Sequence, residues 1–228
     1  ALYEKNLPKE WRRQPVGEAR GMDVHESQSL LIEMQACRSK EFLTFATPLM
    51  KAAFERDGPE WEVDNLYRIY TKVAPGLIRV DADEVTYPAH VILRYQIERA
   101  LINEEMTLDD LPAAWNEAMH RLLGLIPPDH ATGCMQDIHW FDGAWGYFPS
   151  YSLGAMTGAQ IFATARNADP KILPAISEGD FTPLYDWLGE HIYGLGSLYE
   201  TPELIERATG KPLDTEIFKH HLQTRYLT

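Results

Sequence analysis

Apolar residues at Leu30, Leu31, Met34, Cys37, Phe42 and Phe45 recur near helical spacing. That stripe predicts a long helix from about Val24 to Phe54, bent or split at Pro48 and stopped by Gly58-Pro59. Ahead of it, residues 2 to 15 read as a short helical tail and an exposed connection, because Pro8 and Pro15 interrupt any longer element. Leu66, Ile69 and Val73 give a second helix over 63–73, ended by Ala74-Pro75-Gly76. Residues 77 to 86 instead alternate apolar and polar, which predicts a short half-buried β segment with Arg79, Asp81 and Asp83 on one side.

Helical spacing returns at Pro88. A helix through Asn103 carries Val91, Leu93, Tyr95, Ile97 and Leu101 on more than one face, so deep burial is expected. Another runs from Thr107 to Leu123, with Pro112 in its first turn and Gly124 as its stop. After Pro149 a helix reaches about Asn167, and its Gly154 and Gly158 permit close approach of a neighbour. Thr182-Pro183, Thr201-Pro202 and Asp214 open three further helices, the second closed by Gly210. No internal repeat or low-complexity run interrupts the series, so the fold class is mainly α with one small β element.

Composition narrows what such a chain does. Its 228 residues carry a formal charge of −13, and the Lys and Arg residues are scattered, which argues against a nucleic-acid backbone or an anionic membrane as partner. Six Trp, eleven Tyr and 45% hydrophobic content exclude a disordered acidic tail. Two cysteines, Cys37 and Cys134, make no disulfide scaffold, and no apolar run approaches the roughly 20 residues that span a bilayer. A soluble cytoplasmic protein is the expectation.

Two stretches concentrate chemistry. In Gly21 to Gln28 an imidazole, His25, adjoins a carboxylate, Glu26, at the start of the first long helix. There Asp23 and Glu26 suit a helix cap, while Glu26 equally suits a metal ligand held at a rigid helix start. Between Gly133 and Gly154 the chain packs Gln136, Asp137, His139, two Trp and Tyr147 and Tyr151 between glycines, an unusual content for a plain connection. Asp137 and His139 stand two apart, so a carboxylate fixing an imidazole and a packed core histidine are both consistent readings. Arg79 fits either a solvated edge or a guanidinium presented into a cleft.

Three separated motifs carry a family resemblance. His25-Glu26-Ser27-Gln28, Ile78-Arg79-x-x-Ala82-Asp83 and Gly133-x-x-Gln136-Asp137-x-His139-Trp140 resemble, in order and spacing, motifs of the carboxypeptidase Taq family of metallopeptidases. The resemblance spans essentially the whole chain. It implies a multi-helix zincin-like fold in which these 228 residues form the C-terminal portion of one catalytic domain and one wall of a deep cleft. The family's His-Glu-x-x-His, which binds zinc and activates water, does not occur here, and Ala1-Leu2-Tyr3-Glu4 resembles the sequence that follows it. The chain is therefore expected to begin just after that motif.

By resemblance, Glu26 is a protein ligand of zinc, with cobalt as the other candidate metal, and Arg79 holds the terminal carboxylate of a peptide substrate. Gln136, Asp137, His25 and Tyr151 join the substrate-contacting set, His139 is placed with the catalytic groups, and Tyr147 is the candidate donor to the oxyanion. The implied activity is zinc-dependent release of C-terminal residues with broad specificity, proline being disfavoured, by a homodimer. Without His-Glu-x-x-His the chain by itself is expected neither to retain zinc nor to hydrolyse peptides. The rival reading is a non-catalytic helical interaction module that keeps the cleft wall alone.

Overall fold

A computed structural model describes residues 2–227. Its helices are α1 (Leu2–Lys5), α2 (Met22–Leu30), α3 (Lys40–Phe54), α4 (Val63–Tyr70), α5 (Tyr87–Ile102), α6 (Leu111–Leu123), α7 (Pro149–Ala168), α8 (Ile172–Ser177), α9 (Thr182–His191), α10 (Thr201–Thr209) and α11 (Thr215–Tyr226). Short 3-10 turns lie among them, and no strand occurs among the described residues. None of these helices is long and apolar enough to cross a membrane. The chain divides into two compact units, one of residues 1–71 with 153–228 and the other of residues 72–152.

The first unit has an aliphatic core. Leu31, Ile161, Ile172, Ile176, Leu184 and Leu188 are fully buried, each contributing roughly 1.5–3 kcal/mol by leaving water. The expected helix over 24–54 is interrupted, because α2 passes into a π-helical segment, Leu31–Ala36, and the chain turns before α3. Ser39 makes that restart favourable, since its hydroxyl accepts from the Phe42 N–H at 3.1 Å and caps α3. Pro48 is accommodated inside α3. Gly154 and Gly158 on α7 lie against α2. A Cβ at Gly154 would stand 2.8 Å from the Glu26 Cβ, and one at Gly158 would stand 2.8 Å from the Ser27 carbonyl oxygen. Asp214 caps α11 through the Glu216 N–H at 3.0 Å, and Gly210 ends α10 in the left-handed region.

The second unit pairs α5 with α6 around Leu93, Ile97, Trp115, Ala118 and Met119. The β segment expected near 77–86 is absent. Residues Arg79–Asp81 form a 3-10 turn, and Asp83 accepts from Val85 N at 3.0 Å and Thr86 N at 2.9 Å just ahead of α5. Apolar-polar alternation arose there from two successive turns, the second held by Asp83. No neighbouring strand among the described residues could satisfy a ladder, so the side-chain bonds of Asp83 take the backbone groups instead.

Candidate active-site residues

Arg79, Gln136 and Asp137 come together in the second unit, at the centre of a hydrogen-bonded cluster. The loop between α6 and α7 is shaped by local chemistry. Asp129 accepts from the Thr132 N–H at 2.8 Å, and Gly133 follows where an added Cβ would stand 2.9 Å from the Asp129 carbonyl oxygen. This delivers Gln136, whose side-chain oxygen accepts from the Arg79 N–H at 2.9 Å and whose amide donates to the Leu77 carbonyl at 3.0 Å. One amide thus ties the Gly133 motif to the Arg79 motif.

Asp137 receives two guanidinium groups. Arg79 donates to Oδ1 from Nε at 2.9 Å and from Nη2 at 2.7 Å, and Arg94 donates to Oδ2 from Nε at 2.6 Å. Arg79 also donates from Nη1 to the Tyr87 hydroxyl at 2.7 Å. Arg94 is fully buried, donates to the His90 carbonyl at 2.9 Å and to Gln136 at 2.8 Å, and lies 4.6 Å from the Trp115 ring centre. Burial alone would push the Asp137 carboxyl up, but its bonds to Arg79 and the charges of both guanidinium groups outweigh burial and hold it below the usual carboxylate value. Burial pushes Arg94 down to about 10, and it remains charged.

His139 sits beside this cluster without a direct bond to its carboxylate. Its Nδ1 is 4.0 Å from Asp137 Oδ1 and has no hydrogen-bond partner, while its Nε2 is 2.9 Å from the Tyr151 hydroxyl. Burial, then the Arg79 charge, lowers its pKa, so the ring is neutral near pH 7. Tyr147 packs against both, with ring centres 5.6 Å from His139 and 5.3 Å from Tyr151.

In the first unit His25 and Glu26 stand on the first turns of α2. Gly21 is the N-cap and makes no side-chain cap bond, so Asp23 does not play the capping part its sequence position suggested. Glu26 is half-buried and accepts from the Ser29 hydroxyl at 3.2 Å, and His25 Nε2 lies 3.5 Å from Glu4 Oε1. Ser27 and Gln28 are buried and bonded to each other at 2.9 Å. No three His, Cys, Asp or Glu side chains among the described residues converge on a point where an ion could sit. A protein-held zinc takes three or four such ligands, so this donor set does not by itself fit one.

Arg94, His90 and Tyr87 were not singled out by the sequence reading. His90, Arg94 and Glu98 recur every four residues along α5 and are all buried, forming a polar stripe where an isolated sequence suggests surface charge. The signal was the breadth of the apolar surface on α5, which leaves little room for a solvated face.

This fold is one shared with solved metallocarboxypeptidases. It superposes on Trypanosoma cruzi metallocarboxypeptidase 1 with a TM-score of 0.95 at 42% identity, covering 100% of this chain and 48% of that one. Pyrococcus furiosus carboxypeptidase gives 0.93 at 35% identity, covering 99% and 45%. The chain belongs to the carboxypeptidase Taq (M32) metallopeptidase family, whose model matches residues 1–226. Among curated relatives, thermostable carboxypeptidase 1 of Thermus thermophilus is 38% identical over 99% of this chain and 44% of its own length, and that of Pyrococcus furiosus is 35% identical over 100% and 45%. The chain spans about half the length of the curated relatives it matches.

Proposed function

We propose that these residues form the substrate-facing, C-terminal part of a metallocarboxypeptidase that releases residues one at a time from peptide C-termini with broad specificity, proline excepted. Zinc is the proposed metal and cobalt its alternate, with Glu26 as one ligand of a centre completed by residues outside these 228. The observation that carries the reading is the mutual bonding of Arg79, Gln136 and Asp137, with His139 and Tyr151 alongside, in a chain similar along its full length to named carboxypeptidases.

Arg79 has five N–H donors, and its bonds to Asp137 and Tyr87 use one each on Nε, Nη1 and Nη2. One N–H on each terminal nitrogen remains for a substrate carboxylate, the paired geometry that guanidinium groups offer carboxylates. Asp137 holds that guanidinium in place. His139 Nε2 shares a hydrogen bond with the Tyr151 hydroxyl, and the hydroxyl of Tyr147 is the proposed donor to the oxygen on which negative charge develops.

The test uses protein of the family's full length. Glu26→Gln is expected to lose its metal on dialysis, read by elemental analysis. Arg79→Ala is expected to keep metal while cleavage of peptides with a free C-terminus falls by at least about 100-fold, toward the rate on C-terminal amides. The 228-residue chain alone is expected to be inactive. Metal retained in Glu26→Gln, or equal cleavage of acids and amides by the unsubstituted enzyme, would overturn the assignment.

A further inference from the structure

Helix α5 grips the loop ahead of α7 at two points one turn apart. Arg94 bonds Gln136 and Asp137, and Glu98, four residues further along α5, takes the next part of the same loop. Glu98 is buried at 4% exposure, and each of its two oxygens holds a different donor. Oε2 accepts from Trp140 Nε1 at 3.3 Å, and Oε1 accepts from the Gly146 N–H. Those donors close a stretch, residues 140–146, that forms no helix and is bounded by His139 and Tyr147.

Between its ends the stretch is shaped by local turns, Asp142 N donating to the Ile138 carbonyl at 3.0 Å and Ala144 N to that of His139 at 2.8 Å. Phe141 and Trp145 stand exposed. Trp145 stacks on Trp140 with 5.7 Å between ring centres, and Trp140 in turn meets buried Trp115 of α6 edge-on at 6.2 Å. Gly146 takes φ 77°, a backbone that other residues adopt only with strain, in the turn that brings its N–H to Glu98. Exposed turns of this kind open readily, so an anchor at both ends is what returns His139 and Tyr147 to a ring separation of 5.6 Å.

We infer, on the reading proposed above for Tyr147, that Glu98 is a positioning residue: by holding both Trp140 and Gly146 it sets where Tyr147 stands relative to His139, and with that the reach of the Tyr147 hydroxyl to the reacting carbonyl. Glutamine cannot take its place. An amide offers one acceptor oxygen and one donor nitrogen, so one of the two N–H groups would face another donor in a buried site, and one end of the stretch would come free. Arg79 is held by Asp137, Gln136 and Tyr87 instead, so recognition of a substrate carboxylate does not depend on Glu98.

Steady-state kinetics on protein of the family's full length, with a free-ended peptide and its C-terminal amide, test this. In folded, metal-loaded Glu98→Gln, kcat is expected to fall at least about tenfold while KM stays within about threefold and the preference for acid over amide persists. Trp140→Phe keeps a ring against Trp115 and Trp145 but loses the N–H, and should lower kcat in the same sense by a smaller factor. In nitrogen-15 spectra the Trp140 indole resonance, identified by its loss in Trp140→Phe, should move in Glu98→Gln. The inference is overturned by unchanged kcat in Glu98→Gln, or in Trp140→Phe should the first variant not fold, by a loss confined to KM, or by an unmoved indole resonance. Failure of the proposed activity reads differently: the unsubstituted enzyme then cleaves acid and amide alike, while the indole resonance still reports whether Glu98 holds the loop.

Discussion

In the unit formed by residues 1–71 and 153–228 the side chains at 0% exposure are uncharged: Leu31, Ile172, Ile176, Leu184 and Leu188 are joined at that depth by the neutral polar Ser27 and Gln160. In residues 72–152 Leu93 and Met119 share that depth with Arg94 and His90, also at 0%, and Arg79 is at 5%. Aliphatic burial adds up contact by contact, so it tolerates exchange of one hydrophobe for another of similar volume. A buried ionic set behaves otherwise: its charges are tolerable only together, and losing one member strands the rest in low dielectric. The motif residues of the second unit therefore have one geometry available, fixed by a carboxylate that two guanidinium groups share.

The largest break in that contrast is expected from Asp137→Ala. It leaves Arg79 and Arg94 buried without their counter-ion and should cost on the order of 3–5 kcal/mol, read by urea unfolding and by faster amide exchange along α5. A change near zero would place the two units in the same packing class. In the aliphatic unit, Gly158→Ala forces a methyl to within 2.8 Å of the Ser27 carbonyl oxygen and 3.2 Å of the Leu31 N, so α7 and α2 must separate. That should cost about 1–3 kcal/mol and loosen amides from Glu26 to Leu31. Gly143→Ala, with no atom within 4 Å of the added carbon and only its positive φ to strain, should cost less.

A smaller effect per step separates the units by pH. Burial, then the Arg94 charge, pushes His90 from 6.5 down to about 4, and burial with Arg79 lowers His139 as well. A depressed folded pKa means that the unfolded chain binds more protons between the two values. Stability from the His90 ring is complete above about 6.5 and is lost as pH falls toward about 4, by at most about 1.4 kcal/mol per pH unit, and His139 adds a loss of the same sign. The lowered Asp137 carboxyl extends the loss into still more acidic solution. Replacing His90 by Leu should flatten the slope over the upper part of that window, read from urea midpoints at stepped pH.

What the sequence made legible follows the same division. Caps and stops are local chemistry, so Thr201-Pro202 with Gly210, and Asp214 ahead of α11, mark helices where they occur. Gly154 and Gly158 announced a close helix contact because only a missing Cβ permits one. The interruption between α2 and α3 was harder to see, since the apolar stripe runs through it and only Ser39 marks the restart. Residues 77 to 86 imitated a strand because a 3-10 turn followed by an aspartate that bonds the amides of the next turn also alternates polar and apolar positions. Arg94 escaped notice because a guanidinium four residues from Glu98 on a helix reads as a surface pair, and its carboxylate partner lies 43 residues away. Long-range charge pairing leaves no periodic trace.

A double-mutant cycle on Arg94 and Asp137 tests the shared-carboxylate account most directly. Unfolding free energies of Arg94→Met, Asp137→Ala and the double variant are compared with those of the unsubstituted protein. A coupling of at least about 2 kcal/mol is expected, the double variant being less damaged than the sum of the single ones. Strict additivity would contradict it, since the two side chains would then be buried independently of each other.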